Sequence, residues 1–584
     1  MAILPDAARC GNDPVHRSTS RPGGHCRLGW LLPSLLLWLA AAQPAAAAVG
    51  DAEVAALRQR VAELRATGRL ELQGVVLGRE DILAEFYARR GYQPAWDDPQ
   101  RVAGLRTLIG RAAEHGLDPE DFFASRLRDL AQRAGGAGPA ARADLDLLLT
   151  EALIRYGYQL HFGKVDPTAM EPAWNFRRGF ANDADPVSAL ADAVAAPSLQ
   201  EYLESRLPGG PWYRQLQIAL AGYRAMVAAG GWPAVPDGPV LRPGDRDARV
   251  PVLRQRLRVE GDLPTDLEVA DAEGFDADLA AAVQRFQERH ALAPDGSVGA
   301  RTLEALNVPA QSRVDQLRLS LERVRWLADD VPDTYVVVNV AGFRVGFVRG
   351  HELAWSSRVV VGRAARQTPV FGGLMTYIDL NPTWTVPPTI LREDILPKLR
   401  RDPGYLAREN ISVIDRNGRT VDPRGIDWKA YGGSIPYSLR QEPGPANSLG
   451  RIKLMFPNRY AVYLHDTPAK ALFDKPERNF SSGCIRVDDP LALAALVLDD
   501  PQWDRGALEA AIAAGKTRRV RLRTPVPVLL VYLTAVADRS GTVRFYRDVY
   551  GRDAALLAAL DGPVQMRLPA APVATRGKLG PASL

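Results

Sequence analysis

Cysteine is scarce in this chain: 584 residues hold three, Cys10, Cys26 and Cys484. The first two precede the apolar run Leu28–Ala42 near the N-terminus, and no pair remains downstream to close a disulfide. Histidine is nearly as sparse. Five residues, His115, His161, His290, His351 and His465, lie beyond that run, scattered over several regions. Zinc needs three or four ligands in register, so no metal is expected. Charge is close to balanced at +5, with no basic stripe, which argues against a nucleic-acid partner. After Ala42 no segment approaches the roughly 20 apolar residues that cross a bilayer. What is present, 46% hydrophobic and 24% charged residues, describes a globular chain long enough for three or four domains.

The N-terminus reads as an export signal. Arg17, Arg21 and Arg27 form a positive region, Leu28–Ala42 an apolar core, and Pro44-Ala45-Ala46-Ala47-Ala48 a small-residue cleavage stretch. Residues 1–48 are therefore expected to be removed, and membrane contact to arise only through a signal left uncleaved. Removal leaves Cys484 as the lone thiol of an exported protein. An unpaired thiol outside the cytoplasm asks for a reason, and nucleophilic catalysis supplies one.

The fold expected is multi-domain α+β. Val54, Leu57, Val61 and Leu64 recur at helical spacing and Leu145 to Leu160 repeats the pattern, so residues 49–240 read as a helical scaffold. In it, His115 before Gly116 suits a helix end and His161 sits among core-like aromatics. A Pro/Gly-rich stretch from Gly230 to Gly244 marks a boundary. Residues 241–308 follow as a compact three-helix unit: Val250, Leu253 and Leu257, then Leu279, Ala282, Val283 and Phe286, then Thr302, Leu303 and Leu306. A linker helix spans 309–332. From 333 the period changes to two, through Tyr335–Val340, Phe343–Val348 and Ser357–Val361, announcing a mainly β, sandwich-like domain to about 523. It is interrupted by a proline-rich insertion of about 386–450, a length that suits a lid or substrate-facing loop. Residues 524–584 form a C-terminal extension.

Within the β domain, Tyr463-Leu464-His465-Asp466 and Asn479-Phe480-Ser481-Ser482-Gly483-Cys484-Ile485-Arg486-Val487 carry the chemistry. A thiol attacks an acyl carbon as thiolate, and a neutral imidazole within reach takes its proton. His465 ends an expected strand and Ser481–Cys484 forms a small-residue turn before the next. There the N–H groups of Gly483 and Cys484 are placed to meet a developing oxyanion, and a side chain at 483 would crowd the acyl group. No Asn or Asp is clearly placed to orient the ring, so a main-chain carbonyl near Asp466 is the expected third member.

These two motifs resemble the signature of the L,D-transpeptidase (YkuD-type) catalytic domain, in particular its large multi-domain periplasmic members. Asn381–Pro387 and Pro443–Gly450 match that group as well, and Ala282–Gln287 with Asp295–Thr302 resembles a peptidoglycan-binding domain. The resemblance implies Cys484 as nucleophile, His465 as general base and Gly483 in the oxyanion hole. It implies Arg486, Ser482, Ser481, Trp384 and Asn447 as substrate contacts. One departure stands out: many smaller members have His immediately before the Gly, where this chain has Ser482, so a role for that imidazole does not transfer. The implied reaction is 3→3 cross-linking of peptidoglycan stem peptides in the periplasm or cell envelope: the tetrapeptide donor loses D-Ala and a side-chain amine of a second stem accepts. Carbapenem-type inhibitors are implied to acylate the same sulfur. Two alternatives share the residues: a thiol hydrolase such as an L,D-carboxypeptidase, and a wall-binding scaffold with a silent catalytic fold.

Overall fold

The computed structural model describes residues 43–77, 80–133, 136–177, 185–208, 211–327, 331–402 and 404–566. Cys10, Cys26 and nearly all of the expected signal lie outside the described residues. Among the described residues no helix is long and apolar enough to cross a membrane.

Helical turns in the N-terminal half begin repeatedly at Asp-Pro pairs. At Asp98, Asp118, Asp166 and Asp185 the carboxylate accepts a main-chain N–H of the first turn, while the following proline fills a position whose own N–H has no helical partner. A short hairpin, β1 (Leu70–Leu72) with β2 (Val75–Leu77), adjoins these helices. Leu57, Leu83, Phe86, Leu148 and Leu153 close one core. His115 precedes Gly116 at φ +76° and packs its Nδ1 against the Tyr213 hydroxyl at 3.0 Å, and His161 lies edge-on to Phe162, so both serve packing and helix ends.

The three-helix unit forms helices Val250–Val259, Ala277–Arg289 and Ala300–Leu306 around Leu253, Leu257, Val283 and Phe286. Gln287 pins the turn between the last two: its Oε1 accepts from Gly296 N at 2.9 Å and its Nε2 donates to Ser297 O at 2.9 Å. The following helix, Ala310–Arg325, is a buried strut. Its Glu322 accepts from Val165 N and Trp326 Nε1 and pairs with Arg325, fastening it to the scaffold.

The β domain is built on β3 (Thr334–Asn339), β4 (Arg344–Arg349), β5 (Glu352–Gly362) and β6 (Phe371–Leu380). After the insertion come β11 (Ile452–Met455), β12 (Leu464–His465), β13 (Asn479–Ser481), β14 (Ile485–Val487) and β15 (Arg518–Val531). Their order is β13-β5-β14-β12-β11-β6-β15-β3-β4, and β4 pairs with β5 as well. The sheet thus closes into a ring with β13 attached at its side. Its interior is a run of Val, Ile, Leu and Phe side chains, each contributing about 1.5–3 kcal/mol by leaving water. β15 spans positions 523 and 524, where the sequence places the edge of the extension, but its ladder with β6 is irregular between Arg521 and Val526, and its pairing with β3 covers only Val528 to Val531.

The insertion has its own sheet, β7 (Trp384–Thr385), β8 (Ile411–Ile414), β9 (Thr420–Val421) and β10 (Ser438–Gln441), in the order β7-β10-β8-β9. Trp428, Leu399, Leu406 and Leu439 give it a separate core. Beyond β15, a hairpin of β16 (Ala535–Ala537) and β17 (Val543–Phe545) and the helix Asp553–Leu560 pack back on the domain.

Candidate active site

β12 and β14 are parallel neighbours, with Leu464 opposite Ile485 and His465 opposite Arg486, and Ile485 N donates to Tyr463 O at 3.0 Å. Cys484 therefore stands at the head of β14, beside the strand that carries His465. The thiol is half-buried, and its Sγ–H donates to the Ala461 carbonyl at 3.5 Å. Tyr463 and the sulfur act on each other electrostatically, as do the Trp384 side chain and the Tyr463 phenol. Trp384 lies on the insertion's edge strand β7.

His465 is 4% exposed. Its Nδ1 lies 2.5 Å from the Asp466 carbonyl, and since a carbonyl only accepts, Nδ1 carries the hydrogen and Nε2 keeps its lone pair. The orienting group expected near Asp466 is thus that residue's own main chain. Burial, then the Arg486 charge, pushes the imidazole down to about 3. Burial pushes the Cys484 thiol up, against the opposing pull of Tyr463, Lys453 and Arg486. Both shifts favour the neutral forms, so the resting pair is thiol and imidazole rather than thiolate and imidazolium.

Two cations complete the surroundings. Lys453 on β11 is paired directly with His465 across the antiparallel β11–β12 ladder, and its Nζ lies 4.2 Å from the Tyr463 ring centroid. Burial lowers its pKa, while Asp379 and Cys484 raise it. Arg486 forms no ion pair among the described residues, and its Nε is buried without a hydrogen-bond partner. Nothing in the local sequence announces Lys453; only the strand register brings it to this site.

The turn before Cys484 is held from three sides. Ser481 is buried, with its Oγ donating to Cys484 O at 2.6 Å and accepting from Gly483 N at 3.1 Å. Gly483 has φ +117°, a conformation open to glycine alone at low cost, and its carbonyl accepts from Thr368 Oγ1 at 2.9 Å. Thr368 Oγ1 also accepts from Gly362 N, while the Tyr550 hydroxyl donates to Gly362 O and accepts from Thr368 N. Because Ser481 takes the Gly483 N–H, the Cys484 N–H is the one left without an acceptor among the described residues. Ser482 is exposed, and its Oγ accepts from Arg366 Nη1 at 2.8 Å. The same guanidinium pairs with Glu393 and Asp394 in the insertion. Asn447 is placed differently: its Nδ2 donates to Pro382 O and Glu442 O and its Oδ1 accepts from Leu449 N, which uses its amide to fasten the neck of the insertion.

Against known families, residues 333–528 match the L,D-transpeptidase catalytic domain, 246–306 the "putative peptidoglycan binding domain" and 81–220 the scaffold domain. The chain thus carries an L,D-transpeptidase catalytic domain together with a peptidoglycan-binding domain, in a mixed α+β architecture. Among curated proteins it is 35% identical to a "Putative L,D-transpeptidase" of Haemophilus influenzae over 42% of this chain and 49% of that protein. It is 36% identical to the N-acetylmuramoyl-L-alanine amidase CwlM of Mycobacterium tuberculosis over 20% of this chain and 30% of that one. It thus spans half or less of the curated relatives it matches. A solved L,D-transpeptidase from Stackebrandtia nassauensis aligns over 51% of this chain and 96% of its own, at 13% identity and TM-score 0.19.

Proposed function

We propose that this chain is an exported L,D-transpeptidase that joins peptidoglycan stems 3→3 through a thioester on Cys484. The observation that supports it most is the fixed tautomer of His465, whose unprotonated Nε2 is held on the strand beside the nucleophile turn. The proton of the Cys484 thiol passes to that nitrogen as the sulfur attacks the carbonyl of the third stem residue, a diamino acid. The tetrahedral oxyanion is met by the Cys484 N–H, while Gly483 supplies the backbone geometry that aims it. Collapse breaks the amide bond, and the leaving D-Ala amine takes the proton from His465. A side-chain amine of a second stem then attacks the thioester, gives its proton to His465 and releases the thiol. No cofactor is required by these steps.

Arg486, without an acidic partner among the described residues, is assigned to a carboxylate of the stem. Trp384 and Tyr463 form the wall beside the sulfur, and Ser481 and Ser482 shape the turn and its rim. Asn447 acts through the insertion, which covers the thioester against water; without that cover the same intermediate would give hydrolysis. We place the domains at 49–240, 241–308, 309–332, 333–523 and 524–584. The signal in residues 1–48 directs the protein to the periplasm, and carbapenem-type inhibitors acylate Cys484.

Incubation of the purified protein with tetrapeptide muropeptide tests the reading. Dimers lacking one D-Ala support transfer, and tripeptide monomers alone would mean a carboxypeptidase. Normal function from Cys484→Ala would mean a wall-binding scaffold.

A further inference from the structure

In a planar trans peptide group the carbonyl and the N–H point in opposite directions. Whatever fixes the Gly483 oxygen therefore aims the Cys484 N–H. Glycine itself imposes little on that direction, so the aim depends on bonds from outside the turn. The Thr368 hydroxyl supplies one, donating to Gly483 O at 2.9 Å. Thr368 closes a loop that leaves β5 at Gly362 and runs beside the turn before Cys484: Arg363 N donates to Ser481 O at 3.0 Å and Arg366 Nη1 to Ser482 Oγ at 2.8 Å. The loop is tight, since a Cβ at Gly362 would overlap Arg366 O and Thr368 N.

What holds this loop comes from far along the chain. Tyr550, between β17 and the C-terminal helix, donates its hydroxyl to Gly362 O at 2.6 Å and accepts from Thr368 N at 3.1 Å, so one oxygen spans both ends of the loop. Its ring stacks on Tyr532, with centroids 5.5 Å apart and planes 20° from parallel. Tyr550 N donates to the Tyr532 hydroxyl at 2.9 Å, and that hydroxyl donates to Asp548 at 2.6 Å. Arg552 lies over both rings, 4.9 and 5.1 Å from their centroids. Its guanidinium donates to Gln367, the neighbour of Thr368, at 2.8 Å, and to the buried Glu171 of the scaffold at 2.8 Å. A planar cation bonded in two directions and stacked on two rings fixes orientation as well as adding stability.

Resting on the proposed reaction, we propose that Tyr550 is a positioning residue: through Thr368 it sets the direction of the Cys484 N–H that meets the oxyanion, which makes the C-terminal extension a working part of the site. Arg552 supports it by locking the tyrosine ring to Gln367 and to the scaffold. Without the Tyr550 hydroxyl, Gly362 O and Thr368 N lose this partner, the loop relaxes, and the peptide group between Gly483 and Cys484 turns away from the reacting carbonyl.

The test compares two reactions at one sulfur in the mature chain. Acylation by a carbapenem passes through a tetrahedral oxyanion, whereas alkylation by iodoacetamide is a direct displacement that forms none. Tyr550→Phe keeps the ring on Tyr532 and loses the hydroxyl; acylation should slow by about tenfold, while alkylation and its pH profile stay within about twofold. Arg552→Met should show the same split, with acylation slowed by about threefold. With cysteine alone labelled with nitrogen-15, Cys484 gives the single amide resonance of the mature chain, and that resonance should shift in both variants. Equal slowing of the two reactions, which is general loosening of the fold, would overturn the proposal. Unchanged acylation or an unmoved resonance in Tyr550→Phe would overturn it too, and would leave the proposed reaction standing. A wild-type chain that forms no acyl adduct with either carbapenem or tetrapeptide would instead bring down the reaction, and this role with it.

Discussion

Arg366 reaches Ser482, two residues before Cys484, with its Nη1 donating to Oγ at 2.8 Å. The same side chain pairs with Glu393 and Asp394, so one guanidinium ties the turn before Cys484 to the insertion. Ion pairs at a surface are worth little, but this arginine is largely buried and multiply bonded, which lets it hold geometry. Replacement of Arg366 by alanine should leave acylation of Cys484 within a few fold. The share of tripeptide hydrolysis product over cross-linked dimer should rise, as chromatography of muropeptides would measure. An unchanged ratio would remove the insertion from the control of water.

Gly483 makes a sharper prediction about backbone than about space. A methyl group at 483 would meet its nearest atom, Gln367 O, at 3.8 Å, an ordinary contact, but φ +117° excludes other residues at low cost. Gly483→Ala is expected to cost about 1–3 kcal/mol in stability through that strain. It should slow acylation by about 100-fold or more as the Cys484 N–H is turned away. Urea denaturation and the rate of carbapenem adduct formation measure the two effects.

Thr368 tests the support behind that turn. Its hydroxyl serves Gly362 N and Gly483 O, and it is fully buried. Thr368→Val keeps the shape and leaves both main-chain groups unpaired, for an expected loss of about 1–3 kcal/mol. Thr368→Ser should recover most of it, because the hydroxyl returns.

The neutral resting pair has a pH signature. With the thiol held above its ordinary value, alkylation of Cys484 by iodoacetamide should climb about tenfold per pH unit between pH 7 and 9. A plateau extending down toward pH 5 would indicate a preformed thiolate and contradict the assignment. Burial lowers His465 from 6.5 to about 3, so the unfolded chain takes up this proton first. The contribution is whole above pH 6.5 and is lost as pH falls toward 3, so replacing His465 by Gln should flatten the stability profile in that window.

Lys453→Met removes one of two cations near the sulfur. Its charge favours the thiolate and opposes the imidazolium, so the variant thiol should titrate still higher and the His465 ring become more basic. The alkylation profile reads the first change and the ring proton shifts of His465 the second.

The β runs of 335–361, the module's three helices and the Cys484/His465 motifs were legible because each depends on neighbours in sequence. Gly483 was legible too, since a turn of small residues before a strand limits what fits. Lys453, Thr368 and Tyr550 were not: each reaches the site through pairing or packing with elements distant in sequence, and no local pattern encodes the register of β11 on β12. Asn447 shows the converse. Its motif can be read from the sequence, but the use of its amide on Pro382 and Glu442 emerges only once the insertion folds back on its neck. Closure of the sheet through β4 and β5 was likewise invisible, because alternation reports which face is buried and not which strands meet.

Mass spectrometry of the intact protein during reaction with tetrapeptide muropeptide tests the central claim most directly. The account predicts a transient adduct on Cys484 equal to the stem less D-Ala, absent in Cys484→Ala and slowed at least 100-fold in His465→Gln. Cross-linked product formed at the normal rate by the Cys484→Ala chain would contradict it.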